Sequence, residues 1–205
     1  MAKNIRAANN SREILTNQTE DRPARDVVLE SAANELVIAV VGHVGSGTSE
    51  VATALQILLE NGSLPGGSYD ATVLKARIEI EDWAKNTGRD LPNLGPDDLT
   101  SIGRLQDLGD EMRETSRDGS AVAGALGQRI PSTRASKVGT IVSGDEPIRP
   151  DGKRRAYILD AIRNPAEVYL LRHVYQDAFC LIGVVCDENV RLERLTAKYK
   201  NAGKA

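Results

Sequence analysis

The stretch that most constrains this chain is Glu35-Leu-Val-Ile-Ala-Val-Val41, followed at once by Gly42-His-Val-Gly-Ser-Gly-Thr-Ser49. A run that is apolar residue after residue, rich in β-branched side chains and stopped by glycine, reads as a strand buried on both faces, as in the middle of a parallel sheet. Beyond the glycines, Val51, Leu55, Leu58 and Leu59 recur at helical spacing from Ser49 to Glu60, and Asn61-Gly62 supplies a stop. The unit is strand, glycine-rich turn, helix.

Later segments repeat the alternation. Ala71 to Leu74 is expected as a second strand and Ile78 to Lys85 as a helix, with a proline-rich loop at 89–98. Leu105, Leu108 and Met112 mark a helical face in 99–126, where Gly109, Gly119, Gly124 and Gly127 predict two helices and not one. Residues 131–154 are polar, with a short strand expected at Val138 to Val142 and room for a flap. Ala156 to Asp160 reads as a strand ending in an acid. Asn164-Pro165-Ala166-Glu167 then has the residues of an N-cap, a first-turn proline and a capping box. Phe179 to Val185 is another apolar strand, and Asp187 can cap a last helix. Strands alternating with helices predict an α/β fold with a parallel sheet flanked by helices.

A chain of 205 residues suits one domain with an arm. We divide it into an N-terminal arm at 1–34, expected to be loosely docked or an oligomer contact with a short helix near Asp26 to Ala33, a domain at 35–200 and a tail at 201–205. With 40% hydrophobic residues, 27% charged residues and a net charge of -3, the chain is no general polyanion binder. It has 2 Cys, 2 His, 1 Trp, 1 Phe and 5 Tyr, too few and too scattered for a zinc cluster or a base-stacking platform. Cys180 and Cys186 are expected as buried free thiols, which excludes a disulfide framework. No stretch approaches the roughly 18 apolar residues of a membrane span, and no secretory signal opens the chain. A cytoplasmic protein with no membrane partner is the expectation.

Gly42 to Ser49 follows the P-loop pattern G-x-x-x-x-G-K-[ST] in register, between a strand and a helix. In that pattern glycines let the backbone wrap a phosphate, N–H groups and the positive helix end attract the anion, and a hydroxyl meets Mg²⁺. Gly42, Gly45 and Gly47 supply the turn, His43 and Ser46 lie inside it, and Ser49 supplies the hydroxyl. The lysine position holds Thr48, so the usual cation on the terminal phosphates is missing. Lys75, Arg129, Arg154, Arg155, Arg163 and Arg172 are candidates to replace it. Asp160 is the candidate Mg²⁺ partner with Ser49. Arg163, near the next helix cap, and Arg191 with Arg194, three apart on one helical face, are candidate phosphate or base contacts. Three readings stay open: a site binding a magnesium nucleotide (ATP, GTP or a dNTP) without much catalysis, a phosphotransferase with a displaced cation, and a scaffold with a vestigial loop. His43 and His173 lack partners at nucleophile-motif spacing, so a hydrolytic triad has no support, and no catalytic residue is assigned.

The loop GHVGSGTS, the segment RLQDLGDEMR at 104–113 and above all YILDAIRNPAEVYLLRHVYQDAFCLIGVVCDENVRLERL at 157–195 resemble the N-terminal P-loop domain of the bacterial anti-phage dCTP/deoxycytidylate deaminases. The resemblance implies a nucleotide-kinase-like P-loop fold across 35–200, in a protein whose separate zinc-dependent domain deaminates dCTP or dCMP and so depletes deoxycytidine nucleotides during infection. The family's H-x-E and C-x-x-C zinc signature is absent from this chain, so zinc belongs to a deaminase domain it does not contain. The implied partners are that deaminase domain, further copies of the chain and, in some members, an inhibitory small RNA. Lys153-Arg154-Arg155 with Arg129, Arg134 and Lys137 are the basic candidates for RNA contact. The implied role is nucleotide or RNA sensing that regulates the deaminase.

Overall fold

The computed structural model describes residues 34–62, 65–92, 98–139 and 150–199. Four strands, β1 (Glu35–Gly42), β2 (Asp70–Lys75), β3 (Arg155–Asp160) and β4 (Phe179–Val184), form one sheet in the order β2-β3-β1-β4. All three pairings are parallel. The helices are α1 (Thr48–Glu60), α2 (Ala76–Asn86), α3 (Leu99–Ser116), α4 (Ala121–Val138), α5 (Pro165–Tyr175) and α6 (Glu188–Lys198). The chain is therefore an α/β protein with a parallel sheet flanked by helices.

Period-two alternation divides the central strands between two cores. Val37, Ala39, Tyr157 and Leu159 point to the face covered by Met112, Leu126, Ile130 and Leu171 of α3, α4 and α5. Ile38, Val40, Ala156 and Ile158 point to the other face, where Ala52 and Leu59 of α1 cover them. Both faces being covered explains why β1 and β3 read as continuous apolar runs.

β4 differs because, among the described residues, it is an edge strand with none of its residues fully buried. Cys180 is exposed and Cys186 half-buried, and neither is in a disulfide, so the expectation of two buried thiols is corrected. Val185, just past the strand, is 95% exposed.

The predicted break in the long helical region falls at 117–120. Arg117 adopts φ 53 to end α3. The Asp118 carboxylate then accepts from the Ser120 backbone N–H at 2.8 Å and from its hydroxyl at 2.6 Å. Gly119 lies where a Cβ would stand 3.2 Å from that of Ala166, so the turn sits against the start of α5. Gly109, Gly124 and Gly127 stay inside helices. α4 runs on through Pro131 to Val138, correcting both the polar loop expected from 131 and the start of the strand expected at Val138. An interior proline costs a helix about 3 kcal/mol. Ile130 and Ala135 are buried on either side of it, and Arg134 is held by Glu35 at 2.7 Å, which offset that cost. The rest of that expected strand, the flap centre, the arm with its helix, and the tail lie outside the described residues.

A polar cluster ties together the amino ends of the strands. Arg155, 2% exposed, forms a two-pronged pair with Asp151, and Lys137 bonds Asp70. The guanidinium of Arg155 holds the Asp151 carboxyl down at about 2, well below its ordinary value. Burial pushes the Tyr157 phenol up to about 12. No helix among the described residues is long and apolar enough to cross a membrane.

Candidate anion-binding site

Strand register sets the site. Val40 of β1 and Lys75 of β2 both pair with Asp160 of β3, and Gly42 pairs with Val184 of β4, so the carboxyl ends of the four strands open on one crevice. In open α/β sheets ligands bind outside this end.

The glycine-rich loop spans β1 and α1. A Cβ on Gly42 would lie 2.8 Å from the carbonyl oxygen of Val184, so only glycine lets β4 approach. Gly45 at φ +83 and Gly47 at φ +97 take the left-handed conformation that L side chains avoid. The loop closes through the Ser46 backbone N–H, which donates to the His43 carbonyl at 2.9 Å. Gly47 is the N-cap of α1 and has no side chain to satisfy the first helical N–H groups. An uncapped helix start with open N–H groups and a positive dipole end suits an anion.

Three side chains add independent support. The Ser49 hydroxyl donates to Asp160 Oδ2 at 2.8 Å. Asp160 is 7% exposed, and its Oδ1 has no hydrogen-bond partner; the hydroxyl of Ser46, 6% exposed, has none either. Buried polar groups are normally paired, so these two oxygens beside the open loop are free to meet a ligand or water. Magnesium takes hard oxygen ligands, commonly one or two carboxylates with water and phosphate, and the Ser49 hydroxyl with Asp160 Oδ1 fits such an ion. Among the described residues no three His, Cys, Asp or Glu side chains converge as a metal site. A cation at Asp160 would complete its shell from water and phosphate.

The loop borders a cavity of about 1280 Å³. Gly45, Ser46, Gly47, Thr48, Ser49, Asp160, Arg163 and Arg194 all line it, with Ile80, Ile102 and Leu105 on the apolar side formed by α2 and α3. Arg191 joins the loop from above, its Cγ 3.2 Å from the Cβ position of Gly45. His43 is exposed and contributes its carbonyl, and His173 is exposed on α5 away from the cavity.

Of the candidate replacement cations, Lys75 and Arg163 line the cavity. The others do not. Arg129 is bonded to Glu79 at 2.8 Å and to Asp82 at 2.7 Å, Arg155 is committed to Asp151, and Arg154 stacks 4.2 Å over Tyr69. Arg172 is exposed on α5. The same pairings weaken the suggested RNA patch: Arg129, Arg134, Lys137 and Arg155 all meet carboxylates, leaving Lys153 and Arg154.

Sequence reasoning did not single out Arg113 and Asp110, which also line the cavity. Arg113 donates to the buried Glu167 at 2.7 Å, and the other Glu167 oxygen accepts from the backbone N–H of Arg163 at 2.9 Å and of Asn164 at 3.1 Å. The predicted capping box is present. It also fastens α3 to the rim of the crevice. The available signal was the position of Arg113 one helical turn beyond Gly109, a glycine whose Cβ would stand 3.2 Å from Ile80. No protein-family model matches the chain, and a search of curated proteins finds no match.

Proposed function

We propose that this chain is a P-loop domain of nucleotide-kinase-like build that binds a magnesium nucleotide and serves as the sensing half of an anti-phage dCTP/deoxycytidylate deaminase. The observation that carries the binding reading is the Ser49–Asp160 pair, with an orphaned carboxylate oxygen, beside an uncapped glycine-rich helix start. The deaminase context rests on the resemblance of residues 157–195. In this reading Gly42, Gly45 and Gly47 shape the phosphate cradle. The N–H groups of the loop and first turn orient the anion, while Ser49 and Asp160 hold magnesium, whose chemistry is to neutralise phosphate charge. Inhibitory RNA is a further input of the same sensing role, and the basic pairings above leave it little free charge on the suggested patch.

A phosphotransferase is the second reading, favoured by the extent of the cavity. Small-molecule sites commonly measure about 300–1,000 Å³. This cavity runs past the loop to Gln106, Asp110 and Arg113 of α3, leaving space for a second, phosphate-accepting group.

The test is to titrate the purified chain with Mg·ATP, Mg·GTP and each Mg·dNTP, following melting temperature and γ-phosphate release together. Stabilisation without turnover supports sensing, and turnover supports phosphotransfer. Absence of any shift refutes both and leaves a scaffold with a vestigial loop.

A further inference from the structure

The two faces of the sheet are unequally covered. Side chains of α2, α3, α4 and α5 pack on one face, whereas among the described residues α1 is the one helix in the core of the other. α1 lies over β2, β3 and β1. Four strands spaced about 4.8 Å apart span roughly 19 Å, and a helix about 10 Å in diameter covers about half of that. β4 is the part left open. Its Cys180, Ile182 and Val184 pair with Ile38, Val40 and Gly42 of β1. Cross-strand partners share a face, so these three side chains line a shallow groove beside α1, with Cys180 exposed and the other two half-buried.

We propose that this groove receives the outward face of α1 from a second copy of the chain, whose own groove receives α1 of the first, giving a two-fold dimer. The contact uses neither the glycine-rich loop nor Asp160, so it stands apart from the phosphate-site reading.

α1 is the matching ridge. Ala52 and Leu59 are buried against its own sheet, while Ala54, Ile57 and Leu58, at i, i+3 and i+4, point away from it. Ile57 is 52% and Leu58 53% exposed. A helix that is apolar all round is built to be buried all round. α3, by contrast, turns Gln106, Asp107, Asp110 and Glu114 to the outside. Residues 51–59 of α1 and 178–186 around β4 contain no charged side chain, so joining them strips no charge of water. β4 also lacks the charges and prolines that keep sheet edges apart, and Val185 beyond it is 95% exposed. The other edge strand, β2, carries Asp70 and Lys75 at its ends and lies under α1.

Ridge and groove stand side by side on one surface, the arrangement that a two-fold contact needs in order to close on itself. The two α1 helices then form a single layer between two sheets. Each touches its own sheet with Ala52 and Leu59, and the partner sheet with Ala54, Ile57 and Leu58. Ridge and groove each measure about 20 by 10 Å, the length and width of a 13-residue helix. A dimer buries four such patches, a plan area of about 800 Å² that side-chain relief raises toward the roughly 1,200 Å² of a standard interface. That size suits a reversible dimer, open when dilute and closed when concentrated.

The experiment measures self-association of the full chain by sedimentation equilibrium in the wild type, in Ile57→Glu/Leu58→Glu, in Cys180→Glu and in Tyr169→Glu, a control on α5. We expect a wild-type dimer, association at least tenfold weaker in the first two variants, and no change in the control. Melting in dilute solution shows that each variant folds, and the ridge and groove variants test the contact from its two sides. Maleimide labelling of Cys180 should slow as the wild-type concentration rises, and should not slow in Ile57→Glu/Leu58→Glu. Mild oxidation of Leu58→Cys/Cys186→Ser should give a disulfide-linked dimer between Cys180 and the new thiol, which Glu114→Cys/Cys186→Ser should not give. A wild type that stays monomeric at every concentration overturns the proposal, as does Cys180 protected equally at all concentrations, which would mean that another part of the same chain fills the groove. A dimer that survives in Ile57→Glu/Leu58→Glu also overturns it, because some other surface then holds the copies together.

Discussion

Ser49 and Asp160 stand 111 residues apart in sequence and 2.8 Å apart in space, the hydroxyl donating to one carboxylate oxygen while the other oxygen, buried, meets nothing. The chain thus carries an acceptor at the cavity that its own side chains and backbone leave free for a ligand.

Replacing that acid should therefore separate stability from binding. An unsatisfied buried charged group costs about 1–3 kcal/mol or more. Asp160→Asn is expected to raise the ligand-free melting temperature by about 2–4 °C for each kcal/mol recovered. The same variant should lose the magnesium-dependent part of nucleotide binding. Scanning calorimetry with and without Mg·ATP reads both effects, and a lower ligand-free melting temperature would contradict the account of Oδ1.

Gly45 is constrained twice, by its φ of +83 and by Leu195. A non-glycine residue held in the left-handed region costs on the order of 1–3 kcal/mol. Gly45→Ala should lose at least that much in urea unfolding, and it should speed hydrogen exchange in α6 because the helix must back away. Unchanged exchange at 188–198 would argue against the packing of α6 on the loop.

Glu167 is 1% exposed and accepts from Arg113 and from two backbone N–H groups at the start of α5. Removing one member of a buried pair typically costs about 3–5 kcal/mol. Glu167→Gln and Arg113→Gln should each destabilise when made singly, whereas the double change Glu167→Gln with Arg113→Gln should lose clearly less than the sum of the two. Additive losses in this cycle would show that the two residues do not act as a pair.

The Asp151–Arg155 pair gives an acid signature. Asp151 titrates near 2 in the folded chain against an ordinary value near 4, so it stabilises the fold above about pH 4, and that contribution is lost as pH falls toward 2. Asp151→Asn should destabilise at neutral pH, leaving the buried guanidinium without its partner, and should flatten the stability profile between about pH 4 and pH 2. A variant profile parallel to that of the wild type would contradict the assignment.

The edge position of β4 is open to a direct chemical check. Cys180 is exposed and Cys186 half-buried. Cys180 should react with a water-soluble maleimide in the native state, and faster than Cys186. Protection of Cys180 in the purified chain would mean that another chain, or part of this one, covers the edge.

Much of the local structure was legible because it is governed by neighbours in sequence. The apolar run before Gly42 fixes a strand, and the left-handed glycines make the turn. The residues Asn164, Pro165 and Glu167 announce a helix start by their own hydrogen-bonding chemistry. Helix breaks were harder to place. Gly109, Gly124 and Gly127 look as disruptive as Gly119, but packing tolerates them, and the turn forms where Arg117 and Asp118 can close it. Pro131 likewise reads as a boundary until the buried neighbours that carry the helix past it are counted.

The sequence by itself determined the strand, the glycine turn and the helix that follow one another from Glu35 to Glu60, because apolar runs, left-handed glycines and helical periodicity are local properties. Only the tertiary structure decided which carboxylate meets Ser49, which arginines are spent on ion pairs, and that among the described residues Cys180 lies exposed on an edge strand. Those outcomes depend on strand order and helix placement, which bring together residues far apart in the chain. A pattern of neighbours cannot specify charge pairing or burial between elements that meet only after folding.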